Sequence, residues 1–221
     1  MTKLFADLGA EVIKVEEKTI GDYARWEKPF LNKESYYHLI INGNKKSITL
    51  NLKDEKDKET FLELVKTADV VFENFRPGVL ERLGIHYEEL KKVKPDLIVC
   101  SMSGFGQDSP YRDVAAHDIN FLAFSGFLSV MLPESNDAKP ILPTLPVADI
   151  FAALATAFAV SAALYERNQS GKGQYIDISI YDILVWGLSF IAGKYFVDKD
   201  APLHDFTGAM PSYNVYPTKD N

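Results

Sequence analysis

The sequence predicts an α/β protein built on an open, mostly parallel sheet with helices on its faces. Three observations carry this. Strand-like runs at 47–52, 69–73 and 97–101 alternate with stretches of helical spacing, the rhythm of βαβ units. The runs at 69–73 and 97–101 are short and apolar, as strands buried between helices are. And 221 residues that are 47% hydrophobic, 12% aromatic and 25% charged hold ample apolar surface for a packed core, which excludes global disorder.

Taken in order, residues 4–9 read as the last turns of an amphipathic helix stopped by Gly9, followed by a strand at 11–15. A parallel fold wants a strand before that helix, so the expectation is a chain that lacks its first strand. Residues 47–52 alternate as a strand, and 54–67 place Phe61, Leu62, Leu64 and Val65 at helical spacing. A strand at 69–73, a short helix at 88–93 stopped near Pro95, and a buried strand at 97–101 continue the unit. Two apolar helices are expected at 118–131 and 149–167, joined by a Pro-rich loop at 133–146 rather than a domain boundary. A turn at 168–173, a strand at 174–179 and a helix at 181–196 follow, with no internal repeat or low-complexity tract.

Charge and cysteine content narrow the function. Lys and Arg number 24 against 31 Asp and Glu, a net charge of −7 that argues against nucleic-acid binding. The single cysteine, Cys100, cannot form an internal disulfide, so a reducing compartment is expected. The N-terminus has no basic leader or cleavage site, which reads as cytoplasmic. The most apolar stretch, 150–165, is shorter than a membrane span needs and rich in Ala, so a buried helix and no membrane association are expected. The histidines His38, His86, His117 and His204 are widely separated and offer no short metal-ligand spacing. The loop Ser103-Gly104-Phe105-Gly106 follows a strand but is neither a dinucleotide fingerprint nor a P-loop.

Two places carry candidate chemistry. Asn74-Phe75-Arg76-Pro77-Gly78 follows a strand at the carboxyl end, where open α/β sheets bind ligands, and Arg82 at helical spacing can offer a guanidinium to phosphate. The alternative is a Pro-Gly turn with solvated arginines. His117 and Asp149 each lie at the start of an apolar helix, where free N–H groups stabilise a carboxylate or an enolate oxygen; together they can divide acid and base roles. The alternative is that Asp118 and Asp149 are helix N-caps and His117 a loop residue.

Several blocks in order resemble one family. They are residues 4–16 (Leu4-Phe5-Ala6-Asp7-Leu8-Gly9 onward), 44–53 (Asn44-Lys45-Lys46-Ser47 onward), Glu73-Asn74-Phe75-Arg76-Pro77-Gly78-Val79, Ser103-Gly104-Phe105-Gly106, His117-Asp118, Asp149 and Gly171-Lys172-Gly173-Gln174. This pattern is similar to that of the family III CoA-transferases and α-methylacyl-CoA racemases, essentially from end to end. The resemblance implies a CoA-thioester enzyme with a large Rossmann-like domain, here 1–180, and 181–221 as a linker helix and the beginning of a smaller domain. It implies an interlocked homodimer, an acyl-CoA substrate, and coenzyme A as part of that substrate with no permanently bound cofactor.

Carried over by position, Leu50, Lys53, Asn74, Phe75 and Arg82 match residues lining CoA, and Asp149 matches the catalytic aspartate. In transferases that carboxylate forms a mixed anhydride and then an enzyme-CoA thioester; in racemases it is an acid/base. His117 stands where racemases carry His and transferases more often Tyr, so the leading expectation is a 2-methylacyl-CoA racemase. A CoA-transferase is the alternative, and an inactive CoA-binding fragment a second one. Glu17 stands where many relatives carry an arginine. Residues 210–221 resemble the first strands of the smaller domain, so truncation is expected at this end as well.

Overall fold

The computed structural model describes residues 1–131, 141–199 and 210–220. The chain divides into two compact units, Met1–Met102 with Ala153–Asp177 and Ser103–Ala152 with Ile178–Asn221. The fold is α/β, with parallel strands flanked by helices.

In the first unit, α1 (Thr2–Asp7) gives way through Gly9, at φ 97°, to β1 (Val12–Glu16). A 3-10 turn, Tyr23–Trp26, is capped by the Asp22 carboxylate on the Ala24 N–H at 2.8 Å. The small antiparallel pair β2 (Phe30–Leu31) and β3 (Glu34–Ser35) leads into α2 (Tyr36–Asn42), and β4 (Lys45–Thr49) pairs parallel with β1 from Val12↔Lys45 to Glu16↔Thr49. The strand lies earlier than alternation at 47–52 suggested, because the turn into the next helix captures 50–53. Asp57 accepts the Asn51 N–H at 2.7 Å, and Asp54 caps α3 (Glu55–Thr67) by accepting the Asp57 N–H at 3.1 Å.

β5 (Val70–Glu73) is followed by α4 (Val79–Leu83), α5 (Tyr87–Val93) and β6 (Ile98–Ser103), and it pairs parallel with β6 from Val70↔Ile98 to Glu73↔Ser101. Below them in sequence, β7 (Tyr175–Ser179) completes a sheet of order β5-β6-β7, separate from the β1-β4 ladder. Leu50, Phe61, Val65, Ile85, Leu90, Leu97 and Val99 form the core of this unit, each buried side chain contributing about 1.5–3 kcal/mol.

In the second unit the helix expected at 118–131 stops short. α6 (Asp118–Phe124) ends before Gly126, whose φ of 83° breaks the helical path, and only a 3-10 turn, Ser129–Met131, follows. The expected loop at 133–146 lies, for 133–140, outside the described residues. α7 (Val147–Ser170) starts in this unit and runs into the first; at 24 residues it is longer than expected and long and apolar enough to span a membrane.

The expectation of a buried helix holds for one face of α7 only. Ala148, Ala152, Thr156, Val160 and Ala163 are buried, while Ile150, Phe151, Leu154, Phe158 and Tyr165 are exposed. The helix expected at 181–196 is two, α8 (Ile180–Gly187) and α9 (Ser189–Val197), bent by 56°. Residues 210–220 hold turns and bends but no strand; Pro211 and Pro217 lack the N–H a ladder needs.

Candidate functional site

The expected CoA-contacting residues all fall in the first unit, just past the carboxyl ends of β4 and β5. Leu50 is the exception in exposure: it is 6% exposed and part of the core, and its N–H donates to the Glu16 carbonyl at 2.9 Å. Lys53 is exposed in the turn before α3, with its N–H on Asn51 Oδ1 at 3.2 Å. Asn74, Phe75 and Arg76 are exposed on the loop after β5, while Pro77 beneath them is buried. The Phe75 N–H donates to Glu73 Oε2 at 2.6 Å. Gly78, in the left-handed region, starts α4, which displays Arg82 to solvent.

Two buried carboxylates behind these loops escaped the sequence reading. Glu16, 5% exposed at the end of β1, receives Arg25 Nε at 2.7 Å and Nη2 at 2.9 Å, the Ser47 hydroxyl at 2.7 Å and the Asp22 N–H at 3.0 Å. The Arg25 hydrogen bonds, then the Ser47 bond and nearby Lys14, outweigh burial and pull its pKa down to about 2. Lys14 itself pairs with Asp22. Glu73, 9% exposed at the end of β5, is pushed the other way, chiefly by burial. Neither has a local signal: Arg25 and Ser47 meet Glu16 only through the β1-β4 ladder and the turn after β1.

His117 and Asp149 fall in the second unit. His117 is the exposed N-cap residue of α6; its N–H donates to Asn120 Oδ1 at 2.9 Å and its carbonyl accepts the Asn120 N–H at 2.8 Å. Asp118 is the first residue of α6, and its Oδ1 accepts the Asp149 N–H at 3.2 Å. Because α7 begins at Val147, Asp149 lies two residues inside it and is not its N-cap. It sits in the first turn of α7, and the acceptor for its own N–H comes from α6. Although the residue is exposed, its carboxyl lies against protein. That desolvation, followed by the Asp118 charge, raises its pKa, while the His117 imidazole pulls it down.

Around α6, the buried ring of Phe105 packs on Phe121 at 5.4 Å, Tyr111 and Tyr181 at 5.7 Å and Phe124 at 5.8 Å. This aromatic cluster was not expected from sequence. Gly104 lies so close to the Phe121 ring that a Cβ there would meet it at 2.9 Å. Among the described residues, no group of three or more His, Cys, Asp or Glu is placed to hold a metal ion.

Chemically, the second unit offers a carboxylate of raised pKa with an imidazole and a second carboxylate acting on it. The first offers exposed cations and an aromatic ring on two strand-end loops. The chain is 37% identical over 222 residues to the human succinyl-CoA:glutarate CoA-transferase, covering 99% of this chain and 50% of that protein. It is 42% identical over 182 residues to the acetyl-CoA:oxalate CoA-transferase of Acetobacter aceti, 82% of this chain and 46% of the relative. It thus spans about half the length of the curated relatives it matches. A CaiB/BaiF family protein from Brucella suis superposes with a TM-score of 0.84 at 36% identity, over 91% of this chain and 54% of that one. The family model for CoA-transferase family III matches residues 1–221, and the chain belongs to that family.

Proposed function

We propose that the complete protein transfers coenzyme A between carboxylic acids, with Asp149 as the nucleophile. The observation that carries this reading is the placement of Asp149: a first-turn carboxylate whose backbone N–H is held by Asp118 and whose carboxyl is acted on by both Asp118 and His117. The names of the relatives, which act on succinate, glutarate and oxalate as CoA esters or acceptors, support transfer over racemisation and small dicarboxylic acids as acceptors.

The steps balance without a redox partner. A carboxylate oxygen of Asp149 attacks the thioester carbonyl, the C–S bond breaks, and CoA thiolate leaves a mixed anhydride. The thiolate attacks the aspartyl carbonyl, releasing the donor acid and leaving an Asp149-CoA thioester. The acceptor carboxylate attacks that thioester, and the returning thiolate takes the acceptor acyl group, restoring Asp149. Lys53 and Arg82 hold CoA phosphates, Phe75 offers an apolar face, and Asn74 and the Leu50 backbone complete the nucleotide side. No permanently bound cofactor enters the scheme. The expected large domain at 1–180, smaller domain from 181, interlocked dimer and cytoplasmic setting belong to the same reading.

One observation favours a second reading. The imidazole of His117 acts on the Asp149 carboxyl, and two bases on opposite faces of an α-carbon suffice for racemisation of a 2-methylacyl-CoA. Incubating the complete protein in heavy water with a chiral 2-methylacyl-CoA, with succinyl-CoA, and with isotopically labelled glutarate or oxalate separates the two. Transfer puts label into the thioester only when acceptor and donor are both present and adds no α-deuterium. Deuterium incorporation without an acceptor would instead establish the racemase. CoA binding by this chain without either turnover would support a binding fragment.

A further inference from the structure

We propose that Glu73 is a positioning residue for CoA: its carboxylate, by accepting the Phe75 backbone N–H, holds the Asn74-Phe75 loop in the shape that receives the ligand. The inference rests on the CoA-binding reading above and adds to it a residue that touches no ligand.

The geometry is built across three strands. Glu73 ends β5 and sits opposite Ser101 of β6 in the parallel register. Ser101 acts on both the Glu73 carboxyl and the Tyr175 phenol of β7, in each case favouring the ionised form. Glu73 Oε2 takes the Phe75 N–H at 2.6 Å. One residue further on, the Arg76 carbonyl accepts the Val79 N–H at 3.2 Å, and buried Pro77 fills the space beneath. The loop is thus anchored at both ends while Asn74, Phe75 and Arg76 project into solvent.

A buried carboxylate is an expensive way to satisfy one N–H. A charge moved out of water costs several kcal/mol unless paired, and the charges acting on Glu73, from Glu81 on α4 and Asp177 on β7, are both negative. The neighbouring Cys100 thiol carries the mark of the same environment, its pKa pushed up to about 12 by burial and then by Glu73 and Asp177. Burial first, then those two charges, raises the pKa of Glu73; Ser101 and the Phe75 N–H oppose the rise. Protonation removes the charge from the bond to Phe75, so the loop is held most firmly when Glu73 is ionised and loosens as pH falls.

The test uses the whole chain and two readouts. Glu73→Gln keeps an amide oxygen of the same shape but no charge; Ser101→Ala keeps the charge and removes its hydroxyl donor. Hydrogen exchange of the Phe75 amide, corrected for intrinsic rate, and calorimetric binding of CoA are followed from pH 5 to 8. Dephospho-CoA runs alongside because the CoA 3′-phosphate itself titrates, with a second pKa of about 6.

Wild type should lose Phe75 protection and affinity for both ligands together as pH falls. Glu73→Gln should bind both roughly tenfold more weakly at pH 7, with little further change on acidification. Ser101→Ala should move the wild-type transition to higher pH. Wild-type binding and Phe75 protection in Glu73→Gln at every pH would overturn the inference. Should wild type bind neither ligand, the CoA reading fails, and Phe75 exchange still decides whether Glu73 holds the loop.

Discussion

The carboxylate of Asp118 accepts the backbone N–H of Asp149 at 3.2 Å, joining the first turns of α6 and α7. That bond fixes where the Asp149 side chain leaves its helix, and the Asp118 charge contributes to the raised Asp149 pKa.

For the complete enzyme, Asp149→Asn should therefore abolish CoA transfer, because an amide cannot form the anhydride. A nucleophilic carboxylate must be ionised, so the acid limb of the rate profile reports Asp149 and rate falls as pH drops through its raised pKa. Asp118→Asn keeps an acceptor oxygen and removes the charge, moving that limb to lower pH. His117→Ala removes the opposing influence and moves it to higher pH, leaving transfer measurable. Initial rates from pH 4 to 8 check all three, and an active Asp149→Asn enzyme would sink both catalytic readings.

Lys53 and Arg82 are exposed, so on the CoA-binding reading their loss should act on the ligand rather than on the fold. Changing either to Ala should weaken CoA several-fold, more than it weakens pantetheine thioesters, and leave the unfolding midpoint nearly unchanged. Equal losses for both ligands, measured by calorimetry, would count against the phosphate assignment.

Much of the first unit was legible because its signals are local. Asp54 before a helical run and an apolar strand before Asn74-Phe75 fixed α3 and β5 to within a residue. β4 was misplaced because its limits are set by β1 and by Asp57, partners distant in sequence. The break after Phe124 had a cue in Gly126, which apolar periodicity overrode. His117 and Asp149 came from the family resemblance and helix-start positions; the Asp118 to Asp149 bond spans 31 residues and has no local trace. Glu16 and Glu73 were illegible for the same reason, since a carboxylate at a strand end reads as solvated until its tertiary partners are known.

Glu16 gives a pH prediction with a definite sign. Its folded pKa of about 2 lies below the ordinary 4.5, so its stabilisation is fully present above pH 4.5 and is lost as pH falls toward 2. That shift corresponds to about 3 kcal/mol. Glu16→Gln should destabilise the chain by about that much at pH 7 and flatten the acid side of the stability curve. Urea unfolding between pH 3 and 7 measures both, and an unchanged midpoint at pH 7 would refute the role.

The exposed face of α7, with Phe151, Leu154 and Phe158, is more apolar than solvent favours. Covering it in a dimer predicts a doubled mass by light scattering at micromolar concentration, and Phe158→Glu should shift that mass toward the monomer. A monodisperse wild-type monomer would rule the dimer out.

Gly173 gives the sharpest steric prediction. A Cβ at this position would lie 2.1 Å from the Leu97 carbonyl oxygen and 2.7 Å from Asp96 C and Leu97 N, all backbone atoms that no rotamer change can move. The next residue, Gln174, accepts the Val99 N–H at 2.9 Å, so relieving the clash means pulling β7 away from β6 where that ladder begins. Gly173→Ala should cost about 3 kcal/mol or more, beyond the usual penalty for overpacking because the obstacle is main chain. Two residues earlier, Gly171 has φ at 71° but open space around it, so Gly171→Ala should cost only the left-handed strain of about 1–2 kcal/mol. Urea unfolding of the two variants separates close packing from backbone conformation, and a Gly173→Ala chain as stable as Gly171→Ala would show that the contact with Leu97 does not hold β7 in place.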